Sequence, residues 1–296
     1  MAAEAAAKLR KLMADGEFIL APGVYDMISA RIADRMGFNA LYMTGYGVTF
    51  SYLGLPDAGL ATYSDMLNRA STIAGGTVTP LIADADTGYG GLLNVRHTVR
   101  GYEAAGVAAI QLEDQEIPKK CGHADGGRAV VPIEEMVQKI EVAAEARRDP
   151  DTLIIGRTDA RSVHGLDDAI ARAKAYVKAG ADIAFVEAPR SEEEMERIGQ
   201  EVDAPLLANM VTNGRTPMLP AERLKELGYN IAIYPGLGMN AAAAAVRDSL
   251  TYLKTNGSAI GINVPVFGFG SGEGESIHEL AGFPDVWEFE KRWGLR

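Results

Sequence analysis

The chain contains a single cysteine in 296 residues, which excludes an internal disulfide framework and is typical of a reducing compartment. It also lacks any run of about 20 apolar residues, the length that a membrane-spanning helix requires. The alanine-rich start is interrupted by charges, so it predicts an amphipathic helix over about residues 2–15 rather than a signal peptide. These absences favour a cytoplasmic protein with no membrane partner.

Positive charge is scarce as well. The sequence has 29 lysines and arginines against 40 aspartates and glutamates, and its formal net charge is -11 at pH 7. No basic stripe offsets this excess, so we expect no nucleic-acid partner, because phosphate backbones bind concentrated positive charge. The 47% of hydrophobic residues is enough for a full core, and we expect one domain over residues 1–296.

Eight short apolar runs are present, and each is followed by a turn and a helical pattern. They begin at Phe18, Ala40, Pro80, Ala108, Thr152, Ile183, Pro205 and Ile231. The runs are too apolar for half-exposed strands and too short for isolated helices, so they predict buried parallel strands of a (β/α)8 TIM barrel. A doubly wound sheet would require a glycine-rich phosphate loop after the first strand, where this sequence reads APGVYD.

The tail has a different composition from the barrel. Over about residues 257–294 we expect a Gly-rich segment and then one C-terminal helix, which begins IHELAGF. The apolar positions of that helix need a partner surface, either the barrel base or a neighbouring subunit.

Polar residues collect at the carboxyl ends of the predicted strands. They are Thr44, Asp84, Asp86, Glu113, Arg157, Asp159, Glu187 and Asn209. Barrel enzymes carry their chemistry at this end of the strands, so the pattern predicts an active site there.

Three of these carboxylates predict a metal site. Asp84 and Asp86 are two residues apart, and side chains at that spacing on a strand project to the same side. Glu113 ends the next strand, about 4.8 Å away in a sheet, so the three can meet at one point. Unpaired carboxylates would repel one another, and a hard cation such as Mg²⁺ or Mn²⁺ would neutralise them. Alternatively, Asp84 and Asp86 cap a helix or pair with Arg157 and the lysines.

The motif PKKCGH places the single thiol among cations. Lys119, Lys120 and His123 surround Cys121, and nearby positive charge lowers the pKa of a cysteine. The alternative, a cysteine buried in the core, fits poorly with a loop that contains proline and glycine. We expect Cys121 to act as a nucleophile or a proton carrier, while the cations bind an anionic substrate. The glycines of the loop would let it close over the site.

Together, the motifs LGLPDAG, ADADTGYGG, QLEDQ, PKKCGH and GRTDA resemble the isocitrate lyase and phosphoenolpyruvate mutase superfamily over about residues 17–255. The resemblance is greatest with its short branch of enzymes like 2-methylisocitrate lyase, 2,3-dimethylmalate lyase and petal death protein. It implies a barrel whose eighth helix is exchanged between subunits of a homotetramer, built as a dimer of dimers.

The resemblance also implies how the metal is held. Asp86 is the implied direct Mg²⁺ ligand. Asp84, Glu113 and Asp57 are implied to act mostly through metal-bound waters.

The catalytic group implied by the resemblance centres on the PKKCGH loop. Cys121 is the implied acid and Tyr42 the implied base that takes a hydroxyl proton, with Lys119 and His123 beside them. The implied substrate-binding positions are Thr44, Gly45, Tyr46, Asp57, Lys120, Gly122, Arg157, Glu187, Asn209, Thr216 and Pro235.

The implied reaction is cleavage of a small 2-hydroxy di- or tricarboxylate by a Mg²⁺-dependent carbon–carbon lyase. The products would be a 2-oxo acid, such as pyruvate, and an enediolate that Cys121 protonates. The alternatives are an oxaloacetate decarboxylase or hydrolase, a phosphonomutase, and an inert dicarboxylate-binding scaffold. Departures from the family pattern at 211–217 and after Tyr234 leave the C3 substituent of the substrate open, and Pro235 disfavours oxaloacetate hydrolysis.

Overall fold

All eight predicted strands are present in the computed structural model of the chain, which describes residues 2–120, 128–263, 267–268 and 276–295. The strands are β1 (Ile19–Val24), β2 (Leu41–Met43), β3 (Leu81–Asp84), β4 (Ala109–Glu113), β5 (Leu153–Thr158), β6 (Ile183–Val186), β7 (Leu207–Asn209) and β8 (Ile231–Tyr234). All their pairings are parallel, in the order β6-β5-β4-β3-β2-β1-β8-β7. A parallel bridge between Ala184 and Leu206 joins the two ends, so the predicted (β/α)8 barrel is confirmed.

Helices separate the strands. They are α1 (Ala2–Ala14), α2 (Met27–Arg35), α3 (Gly45–Val48), α4 (Tyr63–Gly76), α5 (Leu92–Ala104), α6 (Ile133–Ala146), α7 (Leu166–Lys178), α8 (Glu192–Glu201) and α9 (Ala221–Glu226). A π-helical turn (Thr49–Leu53) extends α3, and a 3₁₀ turn (Ala160–Ser162) follows β5. The helix starts follow from the sequence: Ser191 caps α8 by accepting a hydrogen bond from Glu194 N at 3.3 Å.

The barrel interior is filled by the strand side chains that point inward. Ile82 and Ile155 belong to this interior core and are fully buried. Because side chains alternate along a strand, the next inward positions are two residues farther along. Those positions are polar: Asp84 follows Ile82, and Arg157 follows Ile155. The same inward-facing positions of each strand therefore fill the apolar core and then supply a polar layer at the carboxyl ends.

Helix α1 packs against the other end of this interior core. Ala6 and Leu9 are buried in the same core as the inward strand residues. Arg10 Nη2 holds the helix in place by donating to Asp182 Oδ1 at 3.1 Å and to Pro150 O at 2.9 Å. The amino-terminal end of the barrel is therefore closed, and the polar carboxyl-terminal end remains as its mouth.

The chain divides into two compact units, Met1–Met239 and Asn240–Arg296. Helix α10 (Leu237–Asn256) runs into the second unit, which also contains α11 (Ile277–Ala281) and α12 (Phe283–Arg292). The sequence predicts one C-terminal helix here, but Gly282 ends α11 in a left-handed conformation with a φ of 95° and a new helix begins at Phe283.

Large apolar side chains on α10 and α12 are exposed. Within the described residues, neither α10 nor α12 has a buried residue. The exchange of the eighth helix between subunits stays a prediction. Across the described residues, every helix is too short or too polar to cross a bilayer.

Leu9→Ala is expected to lower the free energy of unfolding by about 3 kcal/mol, because it leaves a cavity where α1 fills the barrel end. Urea unfolding followed by circular dichroism would measure the change. Lys8→Ala, an exposed position on the same helix, is the matched control and should leave the unfolding free energy nearly unchanged. Equal stabilities for the two variants would show that α1 does not close the barrel.

Candidate active site

Carboxylates and one ammonium group lie together at the carboxyl ends of β3 and β4. Lys119 Nζ is 2.6 Å from Asp57 Oδ1 and 2.7 Å from Asp86 Oδ1, and all three side chains are almost fully buried. Asp84 Oδ1 accepts a hydrogen bond from Asp86 N at 3.0 Å, and Glu113 N donates to Asp86 O at 2.9 Å. These five residues are called the acidic cluster below.

Gly45 brings the main chain against two of these carboxylates. A methyl group at this position would lie 2.5 Å from Asp84 Oδ2 and 3.6 Å from Asp86 Oδ1, so only glycine fits without displacing Asp84. Thr44 holds the turn by capping α3, where its Oγ1 accepts from Gly47 N at 3.3 Å. Two carboxylates therefore converge beside the main chain of Gly45.

Burial and neighbouring charges shift the pKa values of three members of the acidic cluster: Asp86, Glu113 and Lys119. Burial raises the pKa of Asp86 to about 6; Lys119 opposes the rise and the neighbouring carboxylates add to it. Burial also raises the pKa of Glu113 well above its usual value, with Arg157 opposing. Burial by itself would lower the pKa of Lys119, but the surrounding carboxylates outweigh it and raise that pKa well above its usual value. The cluster therefore holds one protonated lysine and an excess of acid groups.

The structure brings Asp84 and Asp86 together and directs the side chain of Glu113 toward Arg157, and the binding of one ion by all three stays a prediction. Among the described residues, no three carboxylate, imidazole or thiol groups are placed to hold a single ion. Glu113 turns elsewhere, because its Oε2 lies 3.4 Å from Arg157 Nε and its Oε1 accepts from Gln115 Nε2 at 3.1 Å. Asp84 and Asp86 remain together beside Gly45. Hard oxygen donors in excess of positive charge still fit Mg²⁺ or Mn²⁺, which keep several waters in their coordination shell.

Arg157 on β5 is surrounded by carboxylates. Its Nε donates to Asp159 Oδ2 at 2.9 Å and its Nη2 to Asp159 Oδ1 at 3.2 Å. Glu113 Oε2 lies 3.4 Å from its Nε, and Glu187 Oε2 lies 3.7 Å from its Nη2. The guanidinium carbon also lies 5.1 Å from the ring centroid of Phe185. A planar donor group held in this way is suited to binding the carboxylate of a substrate.

Neutral hydrogen-bonding groups complete the predicted substrate positions. Asn209 Nδ2 donates to Glu187 Oε2 at 3.1 Å. Thr216 is 5% exposed, and its hydroxyl has no hydrogen-bond partner among the described residues. Because a buried polar group without a partner is destabilising, this hydroxyl indicates a place where a ligand or water would bind.

Tyr42 is linked to the acidic cluster through Gln111. Tyr42 Oη donates to Gln111 Oε1 at 2.9 Å, and Gln111 Nε2 donates to Asp84 Oδ1 at 3.2 Å. Burial raises the pKa of Tyr42 well above its usual value, and Asp84 raises it further. Tyr42 therefore keeps its proton in this arrangement. The sequence interpretation missed Gln111, whose signal is a polar residue inside the apolar run AAIQLED.

The other predicted residues are placed in different ways. Tyr46 is 43% exposed, on α3. Pro235 packs against Gly23 of β1, where a methyl group would lie 2.3 Å from Pro235 O. Lys120 N donates to Gln115 Oε1 at 2.9 Å. The predicted residues that lie outside the described part of the chain are Cys121, Gly122 and His123.

Comparison with known proteins agrees with this geometry. A family model described as phosphoenolpyruvate phosphomutase matches residues 9–254. The 2,3-dimethylmalate lyase of Eubacterium barkeri is 46% identical over 288 residues, which cover 97% of this chain and 98% of that protein. The 2-methylisocitrate lyase of Aeropyrum pernix is 46% identical over 250 residues, which cover 84% of this chain and 80% of that protein.

A solved structure is also similar to this chain in fold and sequence. Oxaloacetate acetylhydrolase in complex with the inhibitor 3,3-difluorooxalacetate has a TM-score of 0.90 and 38% sequence identity, and the match covers 99% of this chain and 98% of that chain.

The buried arginine and the acidic cluster lie at the carboxyl ends of the barrel strands, which is where (β/α)8 barrel enzymes carry their active sites. Within that class, the chain belongs to the phosphoenolpyruvate mutase and isocitrate lyase superfamily. The family inferred from the five motifs is therefore confirmed, and the relatives described above by sequence are lyases.

In a chelating buffer, wild-type protein should lose stability relative to Asp86→Asn as the pH rises from about 4 to about 7. The pKa of Asp86 is raised from 3.8 to about 6, so its protonated form stabilises the fold. That contribution is complete below pH 3.8 and is lost as the pH rises through about 6. The difference should reach at most about 3 kcal/mol, since one pKa unit corresponds to about 1.4 kcal/mol.

Urea unfolding at several pH values would measure this difference. Asn is a suitable replacement because Asp86 has a φ of 47°, a conformation that Asn also adopts readily. The exposed Asp248→Asn controls for the removal of one negative charge. If the difference in unfolding free energy between wild type and Asp86→Asn does not change with pH, the raised pKa of Asp86 is contradicted.

Proposed function

We propose that the protein is a Mg²⁺-dependent carbon–carbon lyase that cleaves a small 2-hydroxy di- or tricarboxylate into a 2-oxo acid and a carboxylate. The observation that supports this most is the position of Arg157 beside the acidic cluster, 3.4 Å from Glu113. Arg157, which is suited to binding a carboxylate, thus lies next to the acidic cluster, which is suited to binding a hard cation. Two lyases that are 46% identical support the same reaction class.

In this proposal the substrate lies at the mouth of the barrel. Arg157 binds one carboxylate, while Asn209 and Thr216 supply hydrogen bonds to the same molecule. The main chain and side chains of Thr44, Gly45 and Tyr46 bind the carboxylate next to the hydroxyl-bearing carbon. The Thr216 hydroxyl has no hydrogen-bond partner among the described residues, which supports a hydrogen bond from it to the substrate.

Asp86 would hold the Mg²⁺ directly, and Asp84, Asp57 and Glu113 would hold it through waters. The donor set supports this, because every group is a hard oxygen and Asp84 and Asp86 both approach Gly45. When bound, the ion would supply positive charge that stabilises an enediolate and offsets the carboxylates near Tyr42.

The bond-breaking step begins with loss of the substrate hydroxyl proton. The electron pair of that O–H bond forms the new C=O of the 2-oxo acid, the C2–C3 bond breaks, and its electrons pass into the C3 carboxylate as an enediolate. Cys121 then gives its proton to C3, and Lys119 and His123 assist it. Tyr42 donates a hydrogen bond to Gln111 before the substrate binds. To take the substrate hydroxyl proton it must first release its own proton to solvent, which the positive charge of a bound ion would favour by offsetting the carboxylates that raise its pKa.

The same proposal includes the assembly and its setting. We propose a cytoplasmic homotetramer, a dimer of dimers in which the eighth helix is exchanged between subunits. The exposed apolar side chains of Val246, Leu250 and Leu253 on α10 support a covering partner.

Oxaloacetate cleavage is a second candidate activity. It is favoured by the 38% identity and TM-score of 0.90 to oxaloacetate acetylhydrolase. Pro235, at the end of β8, disfavours it, and the substrate panel below distinguishes the two.

Purified protein is expected to release a 2-oxo acid from 2,3-dimethylmalate or 2-methylisocitrate when Mg²⁺ is present, and to lose this activity in excess chelator. Release is measured by reducing the 2-oxo acid with a coupled NADH-dependent dehydrogenase. Phosphonopyruvate is tested in parallel, and so is oxaloacetate, whose consumption is followed directly because its hydrolysis releases no 2-oxo acid. Turnover of only one of these two would replace the proposed substrate class, and full turnover in chelator would exclude the metal requirement.

Cys121→Ser is expected to lower kcat by about 10²- to 10⁴-fold, the range typical of a lost general acid, because serine holds its proton more tightly than cysteine. Steady-state kinetics on the preferred substrate would measure the loss. Mn²⁺ binding, followed by electron paramagnetic resonance, is the control and should be unchanged. A Ser variant with wild-type kcat would remove Cys121 from the mechanism.

A further inference from the structure

Arg128 is held in a buried ion pair. Its Nη1 lies 3.1 Å from Asp159 Oδ1, and the two side chains are 4% and 0% exposed. The neighbouring main chain is fixed, because Glu116 N donates to Ala129 O at 2.9 Å. Arg128 thus reaches from a paired backbone segment into the end of β5.

Asp159 is shared between two guanidinium groups. Its Oδ1 receives Arg128 Nη1 at 3.1 Å and Arg157 Nη2 at 3.2 Å, while its Oδ2 receives Arg157 Nε at 2.9 Å. The backbone of Asp159 is fixed as well, because its N–H donates to Asp114 Oδ1 at 2.9 Å. The carboxylate therefore has a single orientation, set by both arginines.

Sharing matters because Arg157 faces more negative charge than it carries. Asp159, Glu113 and Glu187 all approach its guanidinium. If Arg157 alone neutralised these buried carboxylates, little of its positive charge would remain to attract the carboxylate of a substrate. A second cation on Asp159 reduces the charge that Arg157 must compensate.

We propose that Arg128 is a positioning residue: by compensating Asp159, it keeps Arg157 aligned and available for the carboxylate of the substrate. This inference rests on the proposed function, in which Arg157 binds that carboxylate. Arg128 itself does not touch the substrate, so its effect passes through Asp159.

The test measures ligand affinity separately from turnover. Oxalate, a planar dianion that resembles the enolate of a 2-oxo acid, is titrated with Mg²⁺ present by calorimetry, and KM and kcat are measured on the preferred acid. Arg128→Met should weaken oxalate binding and raise KM by about tenfold, within the range of couplings between contacting charged groups, and leave kcat within about twofold. Arg128→Lys keeps the charge and should stay within about threefold of wild type.

A double-mutant cycle identifies the route of the effect. In an Asp159→Asn background the shared carboxylate is absent, so Arg128→Met should cause no further loss of oxalate affinity. Arg161→Met is the matched control, because Arg161 also follows β5 and forms an ion pair, with Glu194 Oε2 at 2.7 Å, but does not contact Asp159 in the described structure. This control should lower the thermal stability without raising KM.

Two outcomes overturn the inference and leave the proposed function intact. If Arg128→Met lowers the melting temperature but leaves oxalate affinity and KM unchanged, or changes only kcat, the ion pair is structural. If the loss is the same in the Asp159→Asn background, it does not pass through Asp159. Wild-type protein that neither binds oxalate nor cleaves any acid in the panel would instead overturn the proposed function, and this inference with it.

Discussion

The ammonium of Lys119, held between Asp57 and Asp86, is the interaction on which the rest of the site depends. Buried carboxylates repel one another and lose the hydration that favours their charged form, so they can stay together only if cations are placed among them. Lys119 supplies that charge from a different loop. It fixes the acidic cluster in a compact form, with room at Gly45 for two carboxylates to approach the main chain.

The two charge centres at the barrel mouth differ in chemistry. Around Lys119 the acids are in excess, and the pKa values of Asp86 and Glu113 are raised, which suits a site that attracts a cation. Around Arg157 the guanidinium is planar and backed by Asp159, which suits a site that attracts a carboxylate. Glu113 joins them, because it lies against Asp86 through its backbone and against Arg157 through its side chain. A substrate that bridges a metal and an arginine fits this pair.

The sequence predicted the barrel well because fully buried parallel strands are continuous apolar runs with clear ends. It predicted the positions of Asp84, Asp86, Glu113 and Arg157 for the same reason, since each ends a run. It did not predict which partners each of those side chains contacts. Glu113 turns toward Arg157 instead of its acidic neighbours, a choice made by charge balance among residues distant in the sequence.

The roles of two residues could not be assigned from the local sequence alone. Gln111 is polar within an apolar run, but its role depends on knowing that this position faces the barrel interior beside Tyr42 and Asp84. Arg128 was missed because its partner, Asp159, is brought to it only by the packing of neighbouring strands. Local pattern thus identifies which residues reach the mouth, and tertiary electrostatics decides which of them meet.

The Lys119 bridge also has a consequence for folding kinetics. It joins segments that follow β2, β3 and β4, so it cannot form until those strands are aligned and the long loops between its partners have closed. We expect the bridge to form after the rate-limiting barrier, and contacts of that kind slow unfolding and leave the folding rate almost unaffected. The charges at the mouth therefore extend the lifetime of the native state without guiding the chain toward it.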